Sequence, residues 1–240
     1  MKKYLFTLCF ILPVFSLHAQ TQFTGWVASF NSFKTGKRTS IYADVQLRGT
    51  DNLAQVQTLL LRGGLNVHIN KKLIVTAGYA FIHNYRKLGE VTGYAPEHRI
   101  WEQLIYNHSI KTMLLTHRVR IEQRFISKII VVNNKLETDG YATANRFRYF
   151  MRTVLPFKKP ASAFSNGMFA ALQDEVFLNF ADKSAVNGKA FDQNRFYLAI
   201  GYRFNKTFDL EAGYMNQYIN GRGNATTNNH IIQLASYLRL

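Results

Sequence analysis

Arginine is the residue type whose spacing in this sequence suggests chemistry. In residues 117–125 and 146–157 it recurs at alternate positions, between apolar residues. A period of two places the arginines on one face of a β-strand and the apolar residues on the other. A dense row of guanidinium groups is suited to binding carboxylates or phosphates. The predicted cationic patch consists of Arg118, Arg120, Arg124, Arg146, Arg148, Arg152 and, from a third segment, Arg195.

Acidic residues are expected on the same face as the arginines. Three of them are predicted partners: Glu122, Glu175 and Glu211. Only Glu122 lies on the two segments that carry the first six arginines, so it is not expected to neutralise them. Two interpretations remain open. Ion pairs fill a narrow barrel, or unpaired arginines line a passage for anions.

The residue pattern gives little support for catalysis or metal binding. His83, His98, His108, His117 and His230 lie in no recognisable nucleophile motif. Asp174 and Glu175 are adjacent, so on a strand they point to opposite faces and do not form an acid–base pair. The single cysteine, Cys9, lies in the first twenty residues. We therefore expect no cofactor and no metal site, and a hydrolase is the least favoured class.

The elements that must position these residues are strands. After Gln20 about eleven segments of roughly ten residues alternate between apolar and polar residues, with aromatic residues near the segment ends. This pattern is typical of an all-β protein, a single antiparallel transmembrane barrel of ten to twelve strands with a polar interior, or lumen. Because such barrels usually have an even number of strands, we expect ten or twelve. Residues 23–33 then lie outside the wall, or a strand near residues 126–133 completes the set.

Turn lengths also favour a membrane barrel. Short connections are expected around residues 70–72, 109–112 and 205–207. The long polar connections are predicted at residues 87–96, 127–143, 181–191 and 220–229. Short turns at one end and long loops at the other are how outer-membrane barrels are built. A longer connection at residues 158–167 is the exception. The long loops are the expected surfaces for partner binding.

The N-terminus and the charge indicate the compartment and the partners. Lys2 and Lys3 precede a short apolar run, which predicts a signal peptide over residues 1–20 and a barrel over residues 21–240. The net charge is +16, and this favours anionic partners. Secretion and the scattered arginines argue against nucleic acid. We expect the outer membrane as location, its lipid and lipopolysaccharide as partners, and small anionic solutes as ligands.

Five short motifs follow one another in an order that resembles a known family. They are residues 97–103 (EHRIWEQ), 118–124 (RVRIEQR), 146–149 (RFRY), 193–195 (QNR) and 213–217 (GYMNQ). The sequence resembles the outer-membrane family called domain of unknown function 2490 over most of the chain after the signal peptide. The resemblance implies an outer-membrane barrel and no particular activity. From the residues we expect a narrow anion-selective porin for acidic solutes, with a non-conducting structural or adhesive barrel as the alternative.

Overall fold

The computed structural model describes residues 19–158 and 164–240. The signal-peptide prediction for residues 1–20 falls almost entirely outside these residues. The described chain is all-β, and none of its helical segments has the length and apolarity to cross a membrane. Its eleven strands are β1 (Ala19–Lys34), β2 (Thr39–Gly49), β3 (Val56–His68), β4 (Leu73–Leu88), β5 (Val91–Ile110), β6 (Met113–Val132), β7 (Lys135–Pro156), β8 (Gly167–Phe180), β9 (Phe191–Arg203), β10 (Phe208–Asn220) and β11 (Thr226–Arg239).

The strands form one closed barrel. Each strand pairs with the next in antiparallel fashion, and β1 closes the barrel by pairing with β11 in parallel, from Ala19 opposite Thr226 to Ser32 opposite Arg239. The eleven strands fall within the predicted range of ten to twelve, but the expectation of an even number is wrong. The even-number rule assumes antiparallel closure, whereas a parallel pair satisfies both edges with an odd count. Residues 23–33 lie in the wall as part of β1, and residues 126–132 extend β6.

The two ends of the barrel carry different connections. The turn end carries the connections at residues 35–38, 69–72, 111–112 and 204–207, and it holds the end of β7, the start of β8 and residue 240. The loop end carries the connections at residues 50–55, 89–90, 133–134, 181–190 and 221–225. Because β1 and β11 run in the same direction, β1 begins at the loop end. Residues 19 and 240 therefore lie at opposite ends of the barrel.

Two of the predicted long loops are strands. Residues 87–96 and 127–143 continue the hairpins β4–β5 and β6–β7, whose turns are the two-residue pairs Gly89–Glu90 and Asn133–Asn134. Asn133 and Asn134 have φ of 50° and 59°, the left-handed geometry of tight hairpin turns, which asparagine tolerates. Strands β5 to β7 have 20 to 22 residues, against 11 to 14 in β2, β3 and β8 to β11. One side of the wall is therefore taller than the other at the loop end.

The two faces of the wall have opposite polarity. Large apolar side chains are exposed on the outside, among them Leu198 (49 %) and Ile121 (40 %), while charged side chains are buried inside, as in Arg120 (0 %) and Glu122 (1 %). The same rule holds in β5. Arg99 points into the lumen, and Glu102 lies on the outer wall beside Gln123, whose amide donates to it over 3.2 Å. Alternation alone therefore assigns the faces of most strands.

Aromatic side chains fill much of the lumen, and inward-facing glycines make room for them. Trp101 lies across β3 and β4, where a Cβ at Gly78 would stand 2.4 Å from its ring and 2.3 Å from the Gly63 carbonyl oxygen. Phe169 occupies the equivalent space at Gly201. The absence of a side chain at Gly78 and Gly201 lets these rings lie flat against the inner wall.

Candidate functional site

The predicted cationic patch lies inside the barrel, on neighbouring strands. Strands β6 and β7 pair so that Arg120 stands opposite Arg148 and Glu122 opposite Arg146. Their alternation turns all six arginines of these two strands inward, where their side chains are between 0 and 16 % exposed. The structure therefore brings these arginines together as one buried cluster.

Glu122 is the centre of this cluster. Arg146 Nη2 lies 2.6 Å and Arg148 Nη1 2.5 Å from its carboxylate oxygens. Arg99 and Arg120 approach the same carboxylate to 3.6 and 3.7 Å. One acid thus contacts four guanidinium groups. The other donors of a buried arginine also need acceptors. Arg120 Nε and Nη2 donate to Gln103 Oε1 at 3.0 and 2.6 Å, whereas its Nη1 is buried 3.7 Å from Glu122 without a hydrogen bond.

Acids from the flanking strands supply further partners for the arginines. Glu175 on β8 accepts from Arg118 and Arg148, each at 2.7 Å. Glu97 on β5 accepts from Arg99 and Arg124, also at 2.7 Å. With Glu211 of β10 as the partner of Arg152, each of the six arginines on β6 and β7 has a carboxylate oxygen within 4 Å. Glu97 and Glu175 face the same space as Glu122 because the flanking strands alternate in the same way.

Further ion pairs lie toward the turn end and along β2 and β3. Glu211 bonds to Arg152 from β7 and accepts from the Tyr237 hydroxyl at 3.3 Å. Asp209 accepts from Arg203 at 2.8 Å and Arg239 at 2.7 Å, and Asp44 accepts from Arg62 at 2.8 Å. Sequence reasoning missed Asp209 as a lumen residue. It lies two residues before Glu211, so the same alternation assigns it to the inner face.

Aromatic rings in the lumen pack against the guanidinium groups. Arg120 lies 4.5 Å from the ring centroid of Trp101. Arg148 and Arg195 lie 4.3 and 4.8 Å from that of Phe177. Such contacts contribute about 0.5–2 kcal/mol each and exclude water from the charges. Phe177 and Trp101 were outside the predicted site, although both alternate with its inward-facing residues.

Arg195 and Arg48 differ from the other lumen arginines. Among the described residues, neither has a carboxylate oxygen within 4 Å. Glu175 stands directly opposite Arg195 in the register of β8 and β9, but its carboxylate bonds to Arg118 and Arg148. Arg48 donates from Nη2 to Gln46 at 2.7 Å, while its Nε is buried without a partner. Two cations are therefore left uncompensated.

The histidines lie mainly on the outer wall, next to tyrosines. His98 contacts the Tyr79 hydroxyl at 2.5 Å, and His117 contacts that of Tyr149 at 2.9 Å. His230 lies 2.5 Å from the Tyr214 hydroxyl. In the described part of the chain no three side chains of His, Cys, Asp or Glu are grouped as metal ligands. These three histidines therefore contact tyrosines on the outer surface of the barrel.

Hydrogen bonds hold the 181–190 connection at the loop end. Arg222 donates to the Val186 carbonyl at 2.7 Å, and Asn187 donates to the Asn220 carbonyl at 2.6 Å, so the 181–190 loop is attached to the neighbouring hairpin. Within it, hydrogen bonds from the Ser184 backbone N–H and hydroxyl lower the pKa of Asp182. Loop 181–190 is thus a fixed part of the loop-end surface.

Comparison with known proteins agrees with the resemblance seen in the motifs. The chain is 22 % identical over 199 residues to an uncharacterised protein of Methylorubrum extorquens, an alignment that covers 82 % of this chain and 79 % of the relative. The model of the family described as "Protein of unknown function (DUF2490)" matches residues 23–229, from β1 into β11. The eleven-stranded barrel therefore belongs to the DUF2490 family.

Proposed function

We propose that this protein is an outer-membrane β-barrel whose lumen is closed by arginine–carboxylate pairs, and that it serves as a structural or adhesive barrel. The observation that carries the proposal is the inverted polarity of the wall, apolar outside and charged inside. A barrel dissolved in water would place these faces the other way round. The predicted signal peptide is consistent with export to that membrane.

The outer wall has the features that a bilayer requires. A group of aromatic side chains near the turn end includes the stacked rings of Tyr106, His108 and His117. A second group, nearer the loop end, surrounds His98. Aliphatic side chains such as Ile100 and Leu104 are exposed between the two. An apolar band between two aromatic girdles is the arrangement found at membrane interfaces, and this supports lipid and lipopolysaccharide as the surrounding partners.

The packing of the lumen supports closure. Trp101, Arg120, Phe177 and Tyr197 come from four different strands, and each is fully buried. In a barrel of this size, side chains are able to fill the interior. A barrel that does not conduct can act through its exposed ends, and the tall β4–β5 and β6–β7 hairpins with loop 181–190 supply a recognition surface at the loop end.

A narrow anion-selective porin for acidic solutes is the second candidate. It is favoured by the charge balance of the lumen. Twelve inward arginines stand against seven carboxylates, namely Asp44, Glu97, Glu122, Glu175, Asp192, Asp209 and Glu211. Excess positive charge in a low-dielectric passage attracts anions. Conductance across a planar bilayer distinguishes the two candidates.

Cell fractionation tests the membrane proposal. We expect the processed chain in the outer-membrane fraction, and we expect the folded barrel to migrate differently on gels before and after boiling. A sheet that closes on itself resists detergent until it is heated, because it leaves no strand edge exposed. Recovery of the chain as a soluble periplasmic protein with a single gel mobility would overturn the membrane assignment.

A further inference from the structure

We propose that Arg48, Arg195 and Trp26 form a binding site for a small oxyanion, the carboxylate or phosphate group of a solute, in the loop-end half of the lumen. The site would be present whether the barrel conducts or not. Arg48 lies at the end of β2 that leads into the 50–55 connection, and Arg195 is the fifth residue of β9. Both are therefore near the loop-end mouth.

The two guanidinium groups share one aromatic platform. Arg48 Cζ lies 4.1 Å and Arg195 Cζ 5.0 Å from the ring centroid of Trp26, so the two charges are at most about 9 Å apart. Trp26 is itself 6 % exposed and stands directly opposite Arg48 in the pairing of β1 with β2. The ring fixes the position of both cations, and a site whose cations are positioned in advance binds an anion with less loss of entropy.

No acid of this chain compensates the pair. Among the described residues neither arginine has a carboxylate within 4 Å, and the sequence outside them, residues 1–18 and 159–163, contains no Asp or Glu. Every other lumen arginine of the predicted patch is paired with an acid. Arg48 and Arg195 are half-buried. A charge partly withdrawn from water is stabilised by an anionic partner, and guanidinium forks match the geometry of carboxylate and phosphate oxygens. A bound oxyanion would supply the missing partner.

Amide side chains surround the two arginines and suit an oxyanion. The terminal amide of Gln217 lies 3.2 Å from both Nε and Nη2 of Arg195. Gln217 is linked in turn to Gln193 at 2.5 Å and to Asn229 at 3.2 Å. These amides and Gln46 are buried. Gln46 accepts from Arg48 and the Gln217 amide faces Arg195, and neither adds negative charge, whereas much of the rest of the lumen is lined by carboxylates that would repel an anion.

Calorimetry of the full chain refolded in detergent tests the site, with inorganic phosphate and acetate titrated in separate experiments against a chloride background. We expect saturable heat with at least one of the two anions. A change in tryptophan emission should accompany binding, since Trp26, one of two tryptophans, contacts both arginines. Saturation by phosphate alone would identify a phosphate ligand, and saturation by acetate alone a carboxylate.

Neutral variants locate the binding. Arg48→Gln and Arg195→Gln should each weaken affinity about tenfold or more, because each removes charge-assisted hydrogen bonds. Arg86→Gln makes the same charge change at an exposed arginine of β4 and should bind like the unmodified chain. If Arg195→Gln does not refold, Arg48→Gln at the strand end carries the test. Absence of saturable heat with both anions, or unchanged affinity in a folded Arg48→Gln, would overturn the proposal.

Discussion

Glu122 is the acid that contacts the most buried guanidinium groups. Four guanidinium groups lie within 3.7 Å of its carboxylate, and it is 1 % exposed. Glu122→Gln keeps the shape and removes the charge, and it should destabilise the barrel by about 3–5 kcal/mol because uncompensated cations remain buried. Unfolding in denaturant, followed by tryptophan emission in detergent, measures the loss. Glu102→Gln is the matched control on the outer wall, where one bond to Gln123 is affected. Equal effects of the two substitutions would contradict the central role of Glu122.

At the scale of residues, alternation in the sequence predicted which arginines face the lumen but not how they are paired. The inward direction of Arg118 to Arg152 follows from a period of two. The contacts of Glu175 with Arg118 and of Glu97 with Arg124 cross strand boundaries. They depend on the registers of β5, β6, β7 and β8, which a single sequence does not specify.

At the scale of elements, the packing of Trp101 of β5 against strands β3 and β4 depends on the absence of a side chain at Gly78. A Cβ at Gly78 would stand 2.4 Å from the indole ring, so Gly78→Ala should force the ring or the backbone to move and cost about 1–3 kcal/mol. Gly63→Ala is the control, since an added Cβ there meets no atom within 4 Å. Denaturant unfolding of both variants should show a loss for Gly78→Ala alone. A similar loss of unfolding free energy for Gly63→Ala would contradict this account. It would mean that the effect comes from strand propensity and not from the packing of Trp101.

Strand positions were largely predictable from the sequence, and strand ends were not. The segments around residues 41–48, 59–69 and 195–204 coincide with strands because one face of each must be apolar. Residues 127–143 were expected to form a long polar loop. That expectation overlooked the apolar run at residues 129–132, which pairs with residues 135–138 of β7. Their two-residue turn, Asn133–Asn134, is the sequence signal that could have identified the hairpin.

At the scale of the whole molecule, closure was the feature that strand counting missed. The parallel pairing of β1 with β11 allows eleven strands to close, and it places the two ends of the described chain on opposite sides of the barrel. Nothing in the residues of β1 distinguishes a parallel from an antiparallel partner. The polarity of the interior is also a property of the whole barrel, since its ion pairs connect strands that are two apart, as Arg118 with Glu175 does.

Current across a planar bilayer is the measurement that tests most directly the proposal that the lumen is blocked. The full chain is refolded and reconstituted, and its insertion is confirmed by a heat-modifiable, protease-resistant band. We predict no conductance above the bare membrane, and we predict that Arg120→Ala and Arg148→Ala create one by emptying the packed centre of the lumen. In a porin the same substitutions would lower an existing anion conductance, because they remove the charges that attract the ions. Anion-selective current from the unmodified chain, reduced in both variants, would contradict the proposal of a blocked lumen and establish the porin.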